Sequence, residues 1–235
     1  MFKNMGMPNG QLALYTSMLY LPWVIKPLWS PFVDIIRSKR WWIITMQVIM
    51  SAAMLMLPFL LPQTIGGAMA QTPLFFVTLA LFWVTAFASA THDIAADGFY
   101  MLGLDQGDQS GFVGIRSTFY RLSSIFGQGV LVVIAGLLES RLGDVPKAWS
   151  ITLLVSAAIF AAVTLWHTFS LPRPSADSLR GLNGSQTNPT AEIFNEFGRT
   201  FVTFFQKKGV LTALLFMLLY VTYPALSHSV RPGII

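Results

Sequence analysis

The stretch Ser89-Ala90-Thr91-His92-Asp93-Ile94-Ala95-Ala96-Asp97-Gly98 puts two carboxylates and an imidazole at the end of a long apolar run. Ionisable groups in such surroundings are costly and usually functional. Asp93 and Asp97 are four positions apart, so on a helix they share a face, roughly 6 Å apart along the axis. His92 points about 100° away from Asp93 and therefore caps, packs or relays a proton. Two cations, Lys26 and Arg121, also fall inside apolar segments. At about 1.5 Å per residue, Asp93 sits about 8 Å from a helix end near Gly98, Arg121 about 13 Å from its own near Phe112, and Lys26 about 12 Å above Asp34. An arginine side chain covers that difference. Lys26 and Arg121 are thus expected to form a cationic floor facing Asp93, with Gln128 as a deeper hydrogen-bonding contact. Two cations and a carboxylate suit an anionic substrate coupled to protons, because burial favours the protonated acid and nearby cations oppose it. The alternative is that Asp93 and Arg121 pair only to hold helices together. Asp97, nearer the interface, is expected to serve as a structural partner for Arg37, Arg40 or Arg116.

These groups need a lipid-embedded scaffold. The chain has 235 residues, 54% hydrophobic and 11% charged, where a soluble domain carries about 25% charged residues. Six apolar segments are read at about 11 to 33, 41 to 62, 74 to 98, 112 to 138, 148 to 170 and 209 to 227, each near the roughly 20 residues that cross hydrocarbon. The first holds Pro22, Pro27 and Pro31 and is expected to bend; the last is interrupted by Pro224. Ser123, Ser124, Gly127, Gly129 and Gly136 are expected as close-packing positions, with Ser123 and Gly127 a small-x-x-x-small pair. The fold class predicted is an all-α polytopic transmembrane bundle.

The net charge is +5, but the basic residues lie between apolar runs, which points to membrane orientation rather than nucleic acid. One side of the six-segment arrangement receives Arg37, Lys39, Arg40, Arg116, Arg173, Arg180, Arg199, Lys207 and Lys208; the other receives Lys3, Arg141, Lys147 and Arg231. The richer side is predicted to be cytoplasmic, with the N-terminus outside. Three regions follow: a transmembrane bundle over 1–170, a cytoplasmic linker over 171–208, and the start of a second bundle over 209–235. Within the linker, Asn188-Pro189 opens an amphipathic helix whose Ile193, Phe194, Phe197, Phe201, Phe204 and Phe205 oppose Glu192, Glu196 and Arg199. It either attaches to the membrane surface or packs beneath the bundle.

The loop Asp34-Ile35-Ile36-Arg37-Ser38-Lys39-Arg40 carries three anchoring cations, and Asp34, Arg37, Arg40, Asp97 and Arg116 are the candidates for an ion-pair latch between helix ends. The phrase from Leu28 to Arg40 resembles a diverged loop between the second and third helices of major facilitator transporters. Asp34 stands at that pattern's Asp, Lys39 and Arg40 at its basic pair, and Ser30 and Ile35 replace its first Gly and its Arg. Together with Thr91-His92-Asp93-Ile94-Ala95-Ala96-Asp97, and with Tyr120-Arg121-Leu122 followed by Gly127 and Gly129, the chain resembles the AmpG-type muropeptide permeases and the related acetyl-CoA transporter branch over about 11 to 205. The resemblance implies a partial major facilitator fold, roughly helices two to seven of twelve. The first helix and a C-terminal half are then expected to be missing, as in a fragment. It further implies proton-coupled import of an anionic muropeptide or similar metabolite through the inner membrane. The partners implied are the lipid bilayer, protons and a small molecule. The alternatives are another organic anion as substrate, or a truncated remnant or subunit that transports nothing.

An enzyme is not expected. Asp97-Gly98 is followed by Phe99-Tyr100 rather than the Ala-Arg of intramembrane phosphotransferases, and there is no His-Glu-x-x-His, Gly-x-Ser-x-Gly or phosphate-binding glycine loop. Zero cysteines exclude disulfides and thiolate metal sites. No metal or cofactor is called for, and His167 and His228 are read as lone histidines.

Overall fold

The computed structural model describes residues 2–3, 7–61, 73–174, 177, 195, 198–199, 202–203, 205–212 and 215–216, without the side chains of Asp34, Ile35 and Gln106. All regular structure among the described residues is helical. Two units divide at residues 180 and 181, and the first holds the bundle.

The proline-rich start does more than bend. It breaks into α1 (Asn9–Leu19), α2 (Leu21–Ile25), a 3₁₀ turn (Lys26–Leu28) and α3 (Ser30–Ile36). Pro22, Pro27 and Pro31 each stand in the opening turn of a new piece, where the missing N–H costs nothing and the fixed φ suits helix entry. The long helices follow: α4 (Lys39–Leu60), α5 (Pro73–Gly103), α6 (Gln106–Ile125) running through a π turn (Phe126–Val130) into α7 (Leu131–Leu142), and α8 (Val145–Ser170). Four spans are long and apolar enough to cross a bilayer, Lys39–Leu60, Pro73–Gly103, Gly107–Leu142 and Val145–Ser170. The first expected segment is thus no single helix, and the expected segment 209–227 lies largely outside the described residues.

α4 packs against α5 and α8, and α7 against α8. The contacts use small residues, Ala53, Ala88, Ala90, Ala95, Ala148 and Ala157, with Thr78, Thr152, Ser156 and Thr164 also buried. Small side chains let backbones approach where lipid supplies no hydrophobic drive between helices. The expected close-packing glycines do not follow this pattern. A Cβ at Gly127, Gly129 or Gly136 would meet nothing within 4 Å, so none of the three brings another described helix close.

A reciprocal cap ties α4 to the end of α8. Asp177 accepts from the backbone N–H groups of Lys39 (2.6 Å) and Arg40 (3.0 Å), capping the start of α4. Arg40 in turn donates to the carbonyls of Thr168 (2.7 Å) and Leu171 (3.2 Å) at the end of α8. Both ends place charge where the helix termini favour it. Arg40 and Lys39 therefore work as latch residues, but toward α8 and the segment after it rather than toward Asp97. Arg37 lies over the ring of Trp41, and the side chain of Asp34 lies outside the described residues. Lys39 is buried with its stem against Gly98, where an added Cβ would come within 2.7 Å of Lys39 Cε. Gly98 thus admits a side chain and does not end the helix.

Linker residues 195, 198–199, 202–203 and 205–206 are helical, and Thr203 bonds back to the Arg199 carbonyl (2.6 Å). Ile193, Phe194, Phe197, Phe201 and Phe204 of the expected amphipathic helix lie outside the described residues.

Asp177→Ala and Arg40→Ala should each lower stability by about 1–2 kcal/mol, the range for a lost cap or charged hydrogen bond. Thermal unfolding in detergent micelles measures this. A loss no larger than that of Arg37→Ala would show that the latch contributes nothing.

Candidate functional site: a four-charge cluster between α5, α6 and the proline-broken segment

α5 continues past Gly98 to Gly103. Its end is held by Gln109, which reaches from α6 to donate to the carbonyls of Leu104 (2.8 Å) and Met101 (3.3 Å). Two things follow. Asp93 lies ten residues, about 15 Å, from the helix end, deeper than the expected 8 Å. And α6 begins at Gln106, so Arg116 is ten residues inside a helix instead of near its start.

At this depth four charges meet. Lys26, in the 3₁₀ turn between Pro22 and Pro31, forms an ion pair with Asp93 Oδ2 and stands 3.9 Å from Asp97 Oδ2. Arg116 spans both acids, one guanidinium nitrogen 2.8 Å from Asp93 Oδ1 and the other paired with Asp97 Oδ1. The helical spacing of Asp93 and Asp97 presents two carboxylates to one guanidinium fork, which a lysine could not bridge in this way. All four side chains are partly enclosed, at 23%, 24%, 29% and 41% exposure for Lys26, Asp93, Asp97 and Arg116. Two cations and two carboxylates leave the group formally neutral, the condition under which charges are held inside a membrane protein.

The sequence expectations meet this geometry unevenly. Lys26 and Asp93 come together as expected, and Arg116 is a partner of Asp97. Arg121 is not part of the cluster: it is five residues from Arg116, about 140° around the helix, and is exposed with no ion pair to a described residue. Gln128 sits in the π turn, exposed and away from the four charges.

His92 leaves α5 about 100° around the helix from Asp93. The buried Gln47 of α4 donates from Nε2 to His92 Nε2 (3.1 Å) and lies 2.8 Å from His167 Nδ1 of α8, with its Oε1 3.2 Å from the same nitrogen. One layer away, the Ser51 and Thr164 hydroxyls are 3.0 Å apart. His167 is therefore not a lone histidine. The available signal was periodic: Gln47 and Ser51 are four apart on α4, Thr164 and His167 three apart on α8, so each pair marks a polar stripe on an apolar helix. Among the described residues, no group of three or more His, Asp or Glu side chains is placed to hold a metal ion.

The sequence profile of the BT1 family matches residues 1–230, so the chain belongs to the BT1 family, a family of membrane transporters. An uncharacterized protein of Haemophilus influenzae is 24% identical over 208 residues, covering 86% of this chain and 43% of the relative. The chain thus spans less than half the length of that curated relative. No solved structure matches.

Arg116→Gln should lower thermal stability in detergent by about 1–3 kcal/mol, less than for a fully buried pair because the site is partly open. Arg121→Gln should leave it within about 0.5 kcal/mol. Equal losses from the two would remove the distinction between them.

Proposed function

We propose that this BT1-family chain contributes the substrate and proton-coupling wall of a secondary transporter that imports an organic anion with protons. The four charges carry the reading. With Lys26 and Arg116 balanced by Asp93 and Asp97, protonating either acid leaves one positive charge unmatched and releases a guanidinium or ammonium donor. An anionic substrate group answers both, by neutralising the charge and taking the free donor. Losing the anion then favours losing the proton. Proton and anion therefore enter together and leave together, which is symport.

In this reading Asp93 and Asp97 carry the proton, while Lys26 and Arg116 receive the anion. Arg116 replaces Arg121 in that role, and Gln128 stays at most a lining group on the other face of the same helix. The BT1 family includes AmpG-type permeases and acetyl-CoA transporters, and the Thr91-His92-Asp93 phrase resembles the former. A cell-wall-derived muropeptide is accordingly our proposed substrate, with the cytoplasmic membrane of a bacterium as its place. The charge arithmetic serves an acetyl-CoA-type anion equally well, so the substrate rests on the resemblance. Transporters of this class rock two bundles about a shared midplane site. The further length of the curated relative supplies the second bundle in this reading.

Vesicles carrying the protein at full natural length, under an imposed proton gradient, should accumulate labelled anhydromuropeptide. Asp93→Asn and Arg116→Gln should each cut that uptake about tenfold or more, since a lost charge interaction exceeding about 1.4 kcal/mol is worth that much. Arg121→Gln should cut it far less. Uptake that survives both cluster substitutions would sink the site, and uptake indifferent to the gradient would sink the coupling.

A further inference from the structure

The second polar group of the bundle lies between α4, α5 and α8, about 100° around α5 from Asp93. Gln47 is 4% exposed, and its amide is the hub. Nε2 reaches both His92 Nε2 and His167 Nδ1, at 3.1 and 2.8 Å, while Oε1 also reaches His167 Nδ1 at 3.2 Å. With both rings neutral, the two amide hydrogens go to the two ring nitrogens. A proton on either nitrogen would face the Nε2 N–H, at 3.1 Å for His92 and 2.8 Å for His167, so the amide turns to present its one oxygen to the ring that carries the proton and its N–H to the other.

We propose that Gln47, His92 and His167 form a proton-binding site that holds one proton at a time, shared between the two rings through the Gln47 amide. The two ring nitrogens share one amide nitrogen and are therefore no more than about 6 Å apart. At an effective dielectric of about 20, a proton on one ring disfavours a second by about a hundredfold. The neighbouring carboxylates among the described residues are each already engaged, Asp177 beyond the end of α8 by the N–H groups of Lys39 and Arg40. On α5 the nearby acids are Asp93 and Asp97, both engaged by Lys26 and Arg116. On α4 the charged groups are Lys39 and Arg40, about 12 and 10 Å back along the axis, and both are cations. On α8 only Lys147 is charged, at the far end, and Glu139 and Arg141 on α7 lie at that far end too. The side chain of Asp34 on α3 lies outside the described residues. The site is distinct from the four-charge cluster, so a proton here adds a charge among the packed helices without breaking the Lys26 and Arg116 pairs.

Nitrogen-15 imidazole spectra of the protein in lipid nanodiscs, titrated over about pH 8 to 5 where histidines change charge, test this independently of transport. His228→Asn removes the third histidine signal, and His92→Gln and His167→Gln assign the other two. One of the two rings should become protonated while the other stays neutral. Gln47→Glu supplies a counter-charge with two acceptors, and both rings should then protonate. Joint protonation of both rings in the unsubstituted protein would overturn the proposal. So would two rings that stay neutral throughout, or a Gln47→Glu spectrum unchanged from the original. Loss of uptake with these titrations intact would instead count only against the transport reading.

Discussion

The exchange of charge among Lys26, Asp93, Asp97 and Arg116 constrains the rest of the bundle. A charge near the middle of a bilayer costs about 2.5–3.5 kcal/mol on insertion scales even with freedom to relax, so four of them persist only when each finds its opposite. That requirement explains features which are otherwise oddities. The segment before α4 gives up a continuous helix, with three prolines each opening a new piece, and the 3₁₀ turn so made is what brings Lys26 to Asp93. α6 likewise gives up an apolar surface ten residues into its length to present a guanidinium fork.

α5 is the element on which both polar groups converge. Successive residues, His92 and Asp93, leave it toward different neighbours: one toward Gln47 and His167, the other toward Lys26 and Arg116. A helix with polar partners on two sides cannot rotate about its axis without breaking one set, so its angular setting is fixed from both. The reciprocal cap of Arg40 and Asp177 fixes the neighbouring pair, α4 and α8, at their shared end. Axial sliding of α8 past α4 is thereby opposed by the two Arg40 hydrogen bonds to its last turn, and the Gln47 amide ties α4 to α5 and α8 through His92 and His167.

Much of this was legible in the residues, and the failures have physical causes. The spacing of Asp93 and Asp97 showed a shared face, and the apolar runs showed the four long spans. The wrong arginine came from a wrong boundary. Gly98 reads as a helix stop, yet its missing side chain serves the buried stem of Lys39, a contact between positions 59 apart that no local pattern encodes. Ending α5 there moved the start of α6 from Gln106 to about residue 112, left Arg116 at the cytoplasmic end of that segment, and made Arg121 its apparent intramembrane cation. The histidine pair was missed for a similar reason: the polar stripes that hold Gln47 and His167 are short, and these residues acquire meaning only from partners 45 to 120 positions away. Gly127, Gly129 and Gly136 were read as close-packing positions, but a Cβ at any of them would meet nothing within 4 Å.

The cost that shapes the cluster bears on Arg121 and Gln128 as well. Arg121 lies fourteen residues inside the span that starts at Gly107, about 21 Å along the axis, too far from either end for its side chain to reach the interface easily. Gln128 follows two turns later in a π turn, a local widening that recurs at functional positions because it leaves backbone groups available. Hydrocarbon would meet both at a penalty comparable with the one the four charges avoid by pairing. Ionisable residues at this depth belong against water or further protein, and Ser117, Thr118 and Ser124 share the face of α6 that carries Arg121. Arg116 and Arg121 thus leave one helix about 140° apart, and of the two only Arg116 meets an acid among the described residues.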